Sequence, residues 1–113
     1  MSRKQQNKLV MILLAAQGRM CGSCGGRIPT PEPCVPPRLR ATIDHVIPRS
    51  RGGASHISNY LLLHQECNVR KSDRMPNGCE LIVQMMVHAR TKTKPHQVSP
   101  AGLLVSERHL TNF

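Results

Sequence analysis

Aromatic side chains are nearly missing from this sequence: Tyr60 and Phe113 are the whole supply, and there is no tryptophan. A core must therefore be built from Leu, Ile, Val and Met, and stacking on nucleic-acid bases has few platforms. Acidic residues are also scarce, six against sixteen lysines and arginines, which leaves a formal net charge of +10. Long apolar runs are missing too. LVMILLAA at 9–16 is eight residues, well short of a membrane span. A chain of 113 residues is one domain, expected over 1–90, followed by a polar, proline-containing tail at 91–113 in which only GLLV at 102–105 can pack. So small a domain with so little bulk ordinarily needs a staple, a disulfide or a metal.

The basic residues are spread through 1–27, 38–51, 70–74 and 90–94, with Arg108 beyond. Such a surface attracts phosphate backbones through counterion release, and with so few aromatics backbone contacts should dominate. Five cysteines are an odd number for a disulfide framework. The Cys21-Gly-Ser-Cys24 turn instead favours metal binding in a reducing compartment, and hence a cytoplasmic protein with no membrane partner. Arg3, Lys4 and Lys8 ahead of LVMILLAA imitate a secretory leader cleaved before Cys21. A cytosolic helix explains the same residues, and it is the expected reading.

Residues 4–17 read as a helix stopped by Gly18. Five prolines within 28–40 exclude regular structure there. ATIDHVI at 41–47 reads as a strand, and Pro48 to Ser58 as a loop turning at Gly52-Gly53. A helical stretch at 65–74 follows YLLLH and is broken by MPNG at 75–78. A further helix at 79–90 carries Leu81, Ile82, Met85, Met86 and Ala89 on one face, with the methionine pair expected in the core. There is no internal repeat.

Cys21 and Cys24 have the spacing at which two thiolates bind one zinc from a turn. His64-Gln-Glu-Cys67 repeats that spacing. The four form a closed tetrahedral set, structural rather than catalytic, that would tie the first helix and turn to the central helix. Cys34 or Cys79 can stand in for His64 on composition alone.

In order, the chain holds Cys21-x-x-Cys24, Asp44-His45-Val-Ile-Pro48, Gly52-Gly53, Asn59, and Leu61-Leu62-Leu63-His64-x-x-Cys67-Asn68-x-x-Lys71. This series resembles the HNH endonucleases, over about residues 9–75. The resemblance implies a small α+β domain, zinc-stapled, with a ββα-metal active unit and flanking helices. It implies a metal-dependent DNA endonuclease leaving 5′-phosphate and 3′-hydroxyl ends. It gives Asn59 the task of holding the loop that carries His45. Small stand-alone members are often phage or mobile-element proteins, so a packaging or other DNA-processing protein is an expected partner. Two positions depart from the common pattern: His64 stands where a cysteine is usual, and Asn68 stands for the final histidine of the name.

The residue types suit the chemistry. A neutral imidazole is the natural base near neutral pH, which makes His45 the expected general base. Asp44 and Asn68 offer oxygens to a hard divalent cation, Mg²⁺ or Mn²⁺. Residues 67 and 68 differ by about 100° around a helix, so Cys67 can face zinc while Asn68 faces the catalytic metal. Arg49, Arg51 and Lys71 are expected at DNA phosphates. No segment looks like a base-reading helix, so little sequence selectivity is expected. His56 reads as a surface or DNA-touching histidine, and His88, His96 and His109 as structural or surface. The main rival is a non-catalytic zinc module that binds nucleic acid, which has no need of the Asp44, His45, Asn59 and Asn68 set. An exported disulfide protein is the third reading.

Overall fold

The computed structural model describes residues 1–92; GLLV at 102–105, His96 and His109 lie outside the described residues. Helix α1 spans Arg3–Ala16 and opens on a capping box. The Ser2 hydroxyl accepts from the Gln5 amide at 3.2 Å, and the Gln5 side chain accepts from the Ser2 amide at 2.9 Å. Both satisfy donors that a helix start leaves open. Leu9, Leu13, Leu14 and Ala16 are buried. The chain then turns through Gly18 at φ 60°, a left-handed conformation that costs glycine little.

Strands β1 (Ala41–His45) and β2 (Tyr60–His64) form an antiparallel pair, from Ala41 opposite His64 to His45 opposite Tyr60. The strand ends two residues before the expected Ile47. Its partner has by then become the Ile57–Asn59 helical turn, so the Val46 and Ile47 amides bond Asn59 instead of a ladder. Helix α2 (Gln65–Lys71) follows β2 without a linker. It stops before the expected Arg74 because Ser72 turns to φ 49° and caps it. Helix α3 (Gly78–Thr91) opens on a second capping box, Asn77 with Glu80. The 28–40 segment is irregular apart from a short turn at Pro37–Leu39. No helix among the described residues is long and apolar enough to cross a membrane.

Helix α2 packs over β1 and β2, while α1 and α3 pack against β2 and each other. All five residues of β2 are buried. This explains why YLLLH is a continuous apolar run rather than an alternating one. Leu61, Leu62 and Leu63 meet Leu13, Ile28, Val46, Val83 and Val87 in a core whose only large aromatic among the described residues is Tyr60. The other side of β2 is closed by a side chain. Gln17, 1% exposed, accepts from the Leu62 amide at 2.7 Å and donates to the Leu62 carbonyl at 3.0 Å. Its amide acts as a one-residue strand and ties α1 to the sheet edge.

The buried face of α3 differs from the expected one. Glu80, Val83, Gln84 and Val87 turn inward, whereas Ile82 and Met85 are 68% and 70% exposed. Met86 is half-buried, and Leu81 and Ala89 are exposed. The rotation follows polar partners rather than the apolar count. Glu80 takes both terminal nitrogens of Arg74, at 3.0 and 3.1 Å, and Gln84 and His88 reach the Ser58 carbonyl. Burying these groups without partners would cost more than exposing two apolar side chains.

Replacing Gln17 by leucine should leave the Leu62 amide and carbonyl without that partner. The Gly22 amide still donates to that carbonyl at 2.9 Å, so only the Leu62 amide is orphaned, and a loss of about 1–3 kcal/mol is expected in urea unfolding. A change below about 0.5 kcal/mol would show that this edge is not held by the glutamine.

Candidate functional site

The 21–24 turn places Cys21 and Cys24 beside the junction of β2 with α2, where His64 ends the strand and Cys67 lies in the first turn of the helix. The four candidate ligand atoms all lie within 4.8 Å of one another. His64 Nδ1 is 3.4 Å from Cys24 Sγ and 3.8 Å from Cys67 Sγ. Its Nε2 donates to the Arg27 carbonyl at 2.9 Å, which fixes the tautomer and leaves Nδ1 as the ligand nitrogen. Cys34 and Cys79 are exposed and stand apart from the cluster, so neither replaces His64.

Burial opposes ionisation of Cys21, but the amides of Cys24, His64 and Ser23 directed at its sulfur bring its pKa below the ordinary thiol value. Burial and the neighbouring Cys21 push Cys67 up to about 12. Crowded thiols of this kind ionise together only when a cation sits among them. Three thiols, one imidazole and amides turned toward sulfur are the donor set of a closed structural zinc site.

On the other side of α2, Asn68 faces β1. Its amide nitrogen is 3.0 Å from Thr42 Oγ1 and 3.5 Å from the Ile43 carbonyl. A carbonyl only accepts, so the nitrogen must face the strand, and Oδ1 remains as the atom able to bind a cation. Asp44 is the buried residue of β1, 6% exposed. The expected phosphate contact of Lys71 does not hold. Its ammonium is fully buried, 3.1 Å from Asp44 Oδ2 and 3.0 Å from the His45 carbonyl. One turn after Asn68 still faces the strand, because α2 lies along it. Burial raises the Asp44 carboxyl above its usual range, and the Lys71 ammonium opposes that rise.

His45 ends the strand half-exposed. Its ring meets Tyr60 edge-on, with centroids 5.0 Å apart, and Nε2 lies 3.3 Å from Ser55 Oγ. Burial first, then the charges of Arg49 and Lys71, hold the imidazole below its ordinary pKa. Asn59, 4% exposed, fastens the loop that leaves His45. Its Oδ1 accepts from the Ile47 amide at 3.0 Å; its Nδ2 donates to the carbonyls of Ile47 at 3.0 Å and Ala54 at 2.9 Å. Gly53 closes this loop so tightly that an added Cβ would lie 1.7 Å from the Ile47 carbonyl oxygen.

Arg49 and Arg51 lie exposed in the turn after Pro48. Arg51 is tied through Nε to the Asp73 carbonyl at 2.7 Å, with the rest of its guanidinium available to an anion. His56 caps the Ile57–Asn59 turn, accepting from the Ser58 amide. Sequence reading missed Thr42, Ser55 and the partner role of Lys71. Nothing in their local sequence marks them; each is defined by what lies across from it.

Native mass spectrometry of the purified chain should find one zinc, and His64→Ala should lower zinc occupancy; unchanged occupancy would remove His64 from the ligand set. Gly53→Ala should displace the 47–53 loop, speed exchange of the Ile47 amide and cost about 1–3 kcal/mol in stability. A wild-type exchange rate in that variant would mean the loop absorbs the methyl elsewhere.

Residues 21–74 match the family model described as HNH endonuclease. No curated protein matches the chain. The matched segment begins at the first cysteine of the cluster and ends at Arg74, so it contains the cluster, both strands and α2, with α1 and α3 outside it. A metal-binding, nuclease-related role follows from this match and from the cluster it encloses. The shared unit is thus the hairpin and helix together with the turn that staples them, and it is this segment of the chain that matches the HNH endonuclease model.

Proposed function

We propose that this domain is a metal-dependent DNA endonuclease that nicks or cuts the backbone with little sequence selectivity. The carrying observation is the treatment of the Asp44-His45 pair. Asn59 bonds both backbone polar groups of Ile47, two residues beyond it, and ties them to the Ala54 carbonyl across the loop, yet the imidazole itself stays half-exposed. A purely structural histidine needs no such clamp.

In this reading the neutral His45 takes a proton from the attacking water. Its lowered pKa keeps it neutral at pH 7, and the Ser55 hydroxyl at 3.3 Å orients the ring. Asp44 and Asn68 Oδ1 hold a divalent cation, Mg²⁺ or Mn²⁺. When bound, such a cation supplies charge stabilisation at phosphorus and on the leaving oxygen. Lys71 holds the Asp44 carboxylate in place and, through the His45 carbonyl, fixes the end of the strand. Arg49 and Arg51 grip the DNA backbone, and the net charge of +10 draws the duplex to the site. Zinc in the Cys21, Cys24, His64, Cys67 cluster sets the tilt of α2 and thereby the distance from Asn68 to β1.

One observation favours the alternative, a non-catalytic zinc-stabilised module that binds nucleic acid. The Asp44 carboxylate is 6% exposed and already paired with Lys71, so a cation must share it.

The test is relaxation of supercoiled plasmid by the wild-type protein and His45→Ala with Mg²⁺, Mn²⁺ or EDTA. Metal-dependent cleavage by the wild type and a loss of about 10²–10⁴-fold in the variant are expected. Because protonation removes the base and the imidazole of the free protein is held below the ordinary 6.5, the acid limb of kcat/KM should lie below pH 6.5. Intact DNA binding without cleavage by either protein would establish the non-catalytic module.

A further inference from the structure

We propose that α3, which lies outside the family-matched segment, is part of the working site, with Gln84 and His88 acting as positioning residues for Asn59. The inference rests on the nuclease reading only for its kinetic consequence. Its structural content is independent of that reading.

Gln84 Nε2 donates to the Ser58 carbonyl at 3.1 Å, and His88 Nε2 donates to the same oxygen at 2.7 Å. The two residues are one helical turn apart, on the same face of α3. A carbonyl oxygen only accepts, so His88 Nε2 carries a proton. The other end of that peptide is also fixed: the Asn59 amide donates to the His56 carbonyl at 2.8 Å. The plane of the Ser58–Asn59 peptide is therefore held from both sides, and it sets the direction in which the Asn59 side chain leaves the backbone. That side chain then bonds both polar groups of Ile47 and the Ala54 carbonyl.

An apolar helix face would dock α3 at least as well. Instead Glu80 and Gln84 are buried at 1% and 4% exposure, while Ile82 and Met85 face outward. Glu80 holds Arg74 just beyond α2, and Arg90 bonds the last carbonyl of α1, that of Ala16, at 3.0 Å. The helix thus braces both limbs of the site at once: the loop bearing Asn59 and the end of the helix bearing Asn68. Its inward polar groups sit where they fix backbone direction, which a leucine contact cannot do.

The experiment uses the full-length chain and compares wild type, Gln84→Met/His88→Leu, and Gln84→Met/His88→Gln. Amide exchange is read at Ile47, whose partner is Asn59 Oδ1, and at Leu62, whose partner is Gln17. Plasmid cleavage, zinc content and thermal melting are measured alongside. In the leucine double variant, Ile47 exchange should rise about tenfold while Leu62 stays near wild type. In the same variant kcat should fall about tenfold with KM little changed. The glutamine variant, which keeps a donor at 88, should recover a large part of both. Ile47 exchange unchanged in the folded double variant would overturn the proposal. So would equal acceleration at Ile47 and Leu62, which would mark a purely structural helix. Should the double variant not fold, Gln84→Met and His88→Leu are read separately by the same criteria. A wild-type protein that does not cleave would remove the nuclease reading, and the exchange comparison would still decide the brace.

Discussion

The convergence of Cys21, Cys24, His64 and Cys67 is the constraint on which the rest depends. Two of these residues belong to a turn near the N-terminus and two straddle the junction of β2 with α2. A cation held there fixes the angle at which the helix leaves the strand. That angle decides whether Asn68 lies against Thr42 and Lys71 against Asp44. Structural zinc contributes about 10–16 kcal/mol in small domains, comparable to or larger than the whole stability of an ordinary domain, about 5–15 kcal/mol. With a single buried aromatic among the described residues, the staple and the strand bearing Asp44 and His45 form one mechanical unit.

Around that unit, the polar contacts set direction and the apolar contacts supply cohesion. Leucines fill β2, but they do not specify where the 46–59 loop runs. That is done by Asn59, by the missing side chain of Gly53 and by the amides of Val46 and Ile47. The buried Asp44–Lys71 pair behaves similarly. Such a pair is weak evidence for stability, since desolvating two charges offsets most of their attraction. Its geometry is specific, however, because the same ammonium also bonds the His45 carbonyl. Charge is thereby used to place the acid and the imidazole relative to one another.

The surface carries the complementary function. Sixteen basic residues against six acidic ones give the molecule an attraction for phosphate that needs no particular sequence. Arg49 and Arg51 bring part of that charge to the mouth of the site, just past the strand that ends in His45. Burial first, then the charges of Arg49 and the buried Lys71, lower the His45 pKa, so one of the two exposed arginines that attract phosphate also acts on the neighbouring imidazole.

The sequence by itself pointed to the four residues that cluster, with Cys34 and Cys79 left as stand-ins for His64, and to the three helices and the first strand. Cys-x-x-Cys and His-x-x-Cys are local spacings, and a turn or one helical turn brings their members together whatever surrounds them. The proline-rich segment, the Gly18 stop, the strand at Asp44-His45 and the α2 face carrying Asn68 are legible for the same reason. Only the tertiary structure decided what each polar side chain meets. Lys71 looks like a surface lysine until α2 is laid along β1, where the nearest charge is Asp44. The methionines of α3 look like core until Glu80, Gln84 and His88 find partners that rotate the helix the other way. Apolar periodicity is a property of one helix, whereas the cost of burying a charge or an amide depends on what lies opposite, and that is settled only when the elements pack.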